Sequence, residues 1–338
     1  MTQKQIWMNL GGLAALIALL ALFYWQSTGA RAVPAMTAAL KHPDSKIRAA
    51  AAQMLADIGP AARPAVPELL NQALHDPVLY AGTTAAGALP KIDLAAARQV
   101  MAAYVPALHD ADTDNRREAC AMLGSLGPVA KPAVPALGAA LDDPQETVRM
   151  HAVGALGEIG IPASVVIPTL AKALHDPSPV VRHRAVSQFA FSMPPIESVV
   201  PYLKELTEDK DQSVATLAKS ALSSPHRLAK DRTAVYSTML QMGNANEYAL
   251  RQLAQLGPEA AGTVPAVIPV LKDNRPLHRY LAAEALGAIG PGARDAVPAL
   301  TAVLQDEDVV VRESVAEALR AIETGAAAGP PSADTRPK

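Results

Sequence analysis

The chain has 338 residues, with 30 Lys and Arg against 32 Asp and Glu, for a formal net charge of −2. So even a balance excludes a general polyanion binder, which needs surplus cationic side chains to displace counterions, and a single cysteine excludes both an intramolecular disulfide framework and thiolate metal clusters. Half of the residues are hydrophobic but only 4% are aromatic, a composition suited to closely stacked helices rather than to an aromatic-lined pocket.

Residues 1–5 form a short polar lead. Ile6 to Trp25 then carry no charge, and at about 1.5 Å per residue such a helix spans about 30 Å. Trp7 lies near one end and Phe23-Tyr24-Trp25 at the other, where amphipathic rings prefer the headgroup region. We expect residues 6–26 to be an uncleaved transmembrane signal-anchor. A signal peptide with Ala30-Arg31-Ala32 as its cleavage site is the alternative, although its apolar core is usually shorter. Lys4 and the α-amino group nearly balance Arg31 and Lys41. The short lead favours an inside N-terminus and an exported solenoid.

Past the anchor, a phrase resembling Ala-Leu-His-Asp recurs. Its leucines are Leu40, Leu74, Leu108, Leu141, Leu174, Leu206, Leu240, Leu271 and Leu304, at intervals of 34, 34, 33, 33, 32, 34, 31 and 33 residues. A fixed period of this length signals a helical solenoid. Within one unit Val148, Ala152, Ala155, Leu156 and Ile159 share a helical face. Gly59, Gly127, Gly160, Gly257 and Gly290 stop these first helices, and four of the five precede a proline. Second helices are expected to open near Pro34, Pro67, Pro135, Pro168, Pro201, Pro265 and Pro298, and Asp76, Asp143 and Asp176 to cap the helices that follow.

The pattern Ile/Val-Arg-x-x-Ala…Leu-Gly, Gly-Pro-x-Ala, Val-Pro-x-Leu resembles HEAT repeats of the bacterial phycobilisome-lyase-like type. Ile47-Arg48, Val148-Arg149, Val181-Arg182, His278-Arg279 and Val311-Arg312 occupy its arginine slot. The resemblance covers residues 32–323 and implies an all-α solenoid of about eight to nine helical hairpins, armadillo-like in build. It also implies a ladder in which each arginine meets an aspartate of the same or an adjacent unit. Each hairpin buries only one stripe, so it must stack on its neighbours. Two stretches break the pattern: Val78–Met101, with Pro90 at the expected stop, and the region from Phe189 to Arg232. A bend of the superhelix is expected between residues 186 and 245. Residues 324–338 are Ala/Gly/Pro-rich and aperiodic, as in a disordered tail.

His42, His75, His109 and His175 form a column, but equivalent positions in stacked units lie about 8–10 Å apart, too far to share a metal. Cys120 is expected in the core. Arg182-His183-Arg184 with Lys219, His226, Arg227, Lys230 and Arg232 would make a basic patch if the fold gathers them. No phosphate loop, nucleophile elbow or zinc-protease motif occurs. Nor does any of the His-Glu pairs with which the deoxyhypusine-hydroxylase type of HEAT enzyme binds iron.

These features predict a membrane-tethered scaffold, single-pass in a bacterial inner membrane, that binds protein partners and needs no cofactor, metal or nucleic acid. The concave face is expected on the second helices. Candidate partner-binding residues come from the irregular stretches and the basic patch: Tyr104, Arg184, Phe191, Tyr202, Arg227, Lys230, Arg232 and Tyr236. An enzyme subunit or cofactor-maturation factor of the lyase or hydroxylase-like class is the alternative, and a stiff membrane spacer a third.

Overall fold

The computed structural model describes residues 29–160, 163–189, 196–223, 232–241 and 247–325. The proposed anchor, residues 6–26, and the tail beyond Gly325 lie outside them; no described helix is long and apolar enough to cross a membrane. The described residues fold into α1 (Val33–Ala39), α2 (Ser45–Ile58), α3 (Val66–His75), α4 (Leu79–Ile92), α5 (Leu94–Ala107) and α6 (Thr113–Ser125). There follow α7 (Val134–Ala140), α8 (Glu146–Ile159), α9 (Ala163–Ala171), α10 (Pro179–Ser187), α11 (Ile196–Glu205) and α12 (Gln212–Ser223). The array ends with α13 (Arg232–Gln241), α14 (Glu247–Leu256), α15 (Val264–Val267), α16 (Pro276–Ile289), α17 (Val297–Val303) and α18 (Val309–Thr324). Even-numbered helices are the first helices of the repeat, odd-numbered ones the second, and a continuous apolar core runs between the two rows.

The turns form as the punctuation predicts. Gly59, Gly127, Gly257 and Gly290 have φ of 71°, 58°, 57° and 67°, the left-handed region that costs a residue without Cβ nothing. Each opens a seven-residue 3-10 turn, Gly59–Ala65, Gly127–Ala133, Gly257–Thr263 and Gly290–Ala296. Pro34, Pro67, Pro135, Pro265 and Pro298 then sit in the first turn of their helices. Pro168 and Pro201 instead lie inside α9 and α11. No Gly-Pro pair stands before those helices in the sequence, and each starts ahead of its proline. At Pro90 the turn is missing altogether: α4 runs through it to Ile92, and Asp93 caps α5 by accepting the Ala96 amide at 3.0 Å.

The arginine ladder is present, with a corrected role for its aspartates. Arg48, Arg116, Arg149, Arg182 and Arg279 each direct Nε and Nη2 onto the carboxylate of Asp76, Asp143, Asp176, Asp209 and Asp306, one unit further on. Asp76, Asp143 and Asp176 are not N-caps. Their carboxylates accept the amides of Val78, Gln145 and Ser178 at 2.8–2.9 Å, which fixes the turn that presents them to the arginine. Arg116 completes the column that the Ile/Val-Arg pattern passes over. Arg312, last in line, bonds the carbonyls of Asp306 and Glu307.

The row of first helices is the tighter one. Along it glycines meet the next helix: a Cβ on Gly124 would lie 3.0 Å from the Cα of Ala155, and one on Gly287 3.0 Å from the Cα of Ala318. First helices accordingly contact one another far more extensively than second helices do. The closely spaced row must lie inside the curve, so the concave face belongs to the even helices and not to the second helices.

The solenoid also folds back on itself. The Gly160 carbonyl accepts from Gln255 Nε2 at 3.0 Å, the Pro128 carbonyl accepts from the Tyr280 hydroxyl at 3.1 Å, and Arg98 pairs with Glu313. Lys91 also pairs with Glu247, and Gly59 lies against Arg275, so the arm before residue 160 packs across the arm after residue 247. The reversal therefore falls between residues 160 and 247, a span containing the predicted bend.

Candidate functional site

Side chains from five successive first helices converge on one cavity of about 580 Å³. Five helices packed flat at about 8–10 Å would spread over roughly 40 Å, so the shared cavity is a direct consequence of the curvature. Gln53 of α2, Tyr80 and Thr84 of α4, Ser125 of α6, His151 and Glu158 of α8 and Arg184 of α10 line it. Counted from the ladder arginine or its equivalent, these positions recur: Gln53, Gly87, Ala121 and Gly154 are the fifth residue after Arg48, Gly82, Arg116 and Arg149, while Ser125 and Glu158 are the ninth after Arg116 and Arg149. One helical face thus supplies the lining in every unit.

The wall mixes polar and apolar side chains. Neither Glu158 nor Arg184 forms an ion pair with another described residue within 4 Å. Burial against the cavity walls raises the Glu158 carboxyl pKa, and the Arg184 charge partly opposes this. Tyr80 is 63% exposed, with its hydroxyl free to meet a partner. Gly154 leaves room for Arg184 to lie across α8, its Nη2 being 3.0 Å from where a Cβ would stand. A site of this kind can hold an extended segment by shape and by a few charged contacts.

Of the described residues among the eight singled out from the sequence, Arg184 alone lines this groove. Tyr104 bridges the outer row, its hydroxyl 3.2 Å from the Ala73 carbonyl and 3.2 Å from Glu118 Oε1; burial, with Glu118 nearby, pushes its pKa up to about 12. Tyr202 packs against the core and stacks on Phe189, with ring centroids 5.8 Å apart. Tyr236 is buried and approaches Gln252. These aromatics fill irregular packing, Tyr104 and Tyr202 half-buried and Tyr236 buried. Phe191, Arg227 and Lys230, and the side chain of Arg232, lie outside the described residues. The basic patch is not assembled among the described groups: Arg182 is buried in the ladder, and Lys219 pairs with Glu208.

Cys120 is fully buried, and burial pushes its thiol up to about 12. Of the histidine column, His75, His109 and His175 are exposed at helix ends, and the described residues contain no group of three or more His, Cys, Asp or Glu placed to hold a metal. Gln53, Tyr80, His151 and Glu158 were missed in sequence. Their signal was glycine inside amphipathic helices, at Gly87, Gly124, Gly154 and Gly157, where helix propensity alone disfavours it and close approach demands it.

A HEAT-repeat family profile matches residues 13–90, 101–188 and 243–320. The chain belongs to the HEAT repeat family. No curated protein matches it by sequence. Among solved structures it is similar to an engineered protein, at 21% identity over 86% of this chain and 88% of that one, with a TM-score of 0.33. It is also similar to importin beta, at 17% identity, TM-score 0.44, over 91% of this HEAT repeat chain and 48% of importin beta. The complex of CpcE and CpcF of phycocyanin lyase from Nostoc sp. PCC7120 matches at 24% identity over 47% of this chain and 98% of its own, with a TM-score of 0.34.

Proposed function

We propose that this HEAT repeat protein is a non-catalytic scaffold that holds an extended segment of a partner protein in the groove of α2, α4, α6, α8 and α10. The convergence of Tyr80, His151, Glu158 and Arg184 on one open cavity, with neither charge in an ion pair among the described residues, carries this reading. Glu158 would take a cationic or hydrogen-bond-donating side chain and Arg184 a carboxylate or carbonyl, while Met150 and Ala155 offer apolar contact between them. Anchoring by residues 6–26 would confine the groove to the membrane surface, on the exported side, and raise the local concentration of membrane-borne partners.

A photo-crosslinking residue at position 80 or 151, compared with one at the exposed outer position Thr301, tests the groove in intact cells. The expected adduct forms from the inner positions and disappears when Glu158 and Arg184 are both replaced by alanine. Equal crosslinking from position 301 would overturn the assignment. Protease protection of a C-terminal tag tests the tether: cleavage only after the outer barrier is opened supports the exported orientation, and protection until the inner membrane is lysed reverses it.

A further inference from the structure

We propose that the inner face of α14, α16 and α18 is a second docking site, for a lysine-bearing, proline-flanked segment of a partner protein, which the free protein holds shut with its own turn 127–133. The repeat register identifies the face. Glu284 and Glu317 are the fifth residues after Arg279 and Arg312, the position that Gln53, Gly87, Ala121 and Gly154 occupy in the open groove. In the N-terminal arm this face is free; in the C-terminal arm the same face is filled from within the chain.

The filling segment displays the chemistry that the face accepts. The Tyr280 hydroxyl donates to the Pro128 carbonyl at 3.1 Å. Three residues on, Lys131 Nζ donates to both Glu284 oxygens at 3.3–3.4 Å and to Glu317 Oε2 at 3.4 Å, with Lys131 and Glu284 side chains each only 6% exposed. Val129 and Pro132 lie against the same wall, beside a residual cavity of about 350 Å³. The face therefore selects a backbone carbonyl and a cation set apart by one turn, with small apolar residues between.

Two features mark the contact as exchangeable. Of the six buried side-chain polar atoms without a hydrogen-bond partner among the described residues, Arg98 Nε and Arg251 Nε lie along it, each left unmet at a cost in free energy. Its central ion pair is also buried, so that withdrawing Lys131 and Glu284 from water opposes their attraction. A partner offering the same groups replaces the turn without needing greater intrinsic strength. Because this face is separate from the groove of the N-terminal arm, the proposal goes beyond the function argued above.

The probe is a fluorescent peptide of sequence Gly-Pro-Val-Ala-Lys-Pro-Ala, titrated into the full chain. Lys131→Glu, which sets the turn against Glu284 and Glu317, should bind it at least 10-fold more tightly than the wild type. Adding Glu284→Gln and Glu317→Gln should abolish that binding. In parallel, spin labels at the exposed positions 114 and 323 should move apart as the peptide saturates the wild-type protein. Equal affinity for the wild type and a folded Lys131→Glu overturns the proposal, and should that variant not fold, an unchanged label distance at saturating peptide does so. Concentration-dependent dimerisation of the wild type, lost with the two glutamine substitutions, would assign the face to a second copy and likewise overturn it. Replacing Glu158 and Arg184 should leave peptide binding intact, which separates this test from that of the groove.

Discussion

Truncating Asp176 to alanine tests whether the arginine ladder holds the stack in register. Arg149 gives Nε and Nη2 to Asp176 at 2.7 and 3.0 Å, and Nη1 to the carbonyls of Asp143 and Pro144 at 2.9 and 3.3 Å. The arginine and aspartate side chains keep only 12% and 4% exposure, so screening by solvent is weak. Removing one partner of so buried a pair leaves an uncompensated charge, an effect of about 3–5 kcal/mol. The surviving carbonyl contacts place Arg149 near the lower end of that range. Loss of the bond from the Ser178 amide, at 2.8 Å, adds about 1 kcal/mol.

Urea unfolding followed by far-ultraviolet circular dichroism measures the loss, and a cycle with Arg149→Met isolates the pair. Arg149→Met with Asp176→Ala is expected to be more stable than Asp176→Ala alone by about 1–2 kcal/mol, because no stranded guanidinium remains. A coupling energy below about 0.5 kcal/mol, the level of exposed ion pairs, would refute the claim that the ladder is a buried register device.

Two glycine replacements on the inner row should behave oppositely. Gly124→Ala drives a methyl group to 3.0 Å from the Ala155 Cα, forcing α6 from α8 at about 1–3 kcal/mol, whereas Gly154→Ala meets only the mobile end of Arg184 and should gain up to about 1 kcal/mol in helix propensity; their melting temperatures check this. Asp209 is held below the usual carboxylate range, first by its hydrogen bonds from Arg182, against the opposing effect of burial. Its contribution is therefore complete above the unfolded value of 3.8 and is lost as pH falls through the lower folded value. The stability difference between wild type and Asp209→Asn should be flat from about pH 5 to 7 and shrink below about pH 4; a difference that grows on acidification would contradict the assigned sign.

The aspartate turns, the glycine stops and the arginine slots were legible because each is written within one period of 31–34 residues and depends on local backbone chemistry. How the aromatic candidates pack was not legible, for a related reason. Tyr104, Tyr202 and Tyr236 stand where the repeat is irregular, and irregular packing draws large side chains inward to fill space. A break in a repeat is thus evidence about packing before it is evidence about a partner.

By itself the sequence determined that the chain stacks helical hairpins, since a 3.6-residue stripe repeated at a fixed period admits little else; that each arginine locks onto the aspartate of the next unit was decided by the structure. Which row faces inward depended on how closely α6 meets α8 and α16 meets α18, a difference of a methyl group per unit that only the assembled stack accumulates into curvature. The open groove and the filled one were likewise decided by the tertiary structure. Lys131 and Glu284 lie 153 residues apart, and no local pattern distinguishes them from surface charges until the two arms fold back and exclude water from between them.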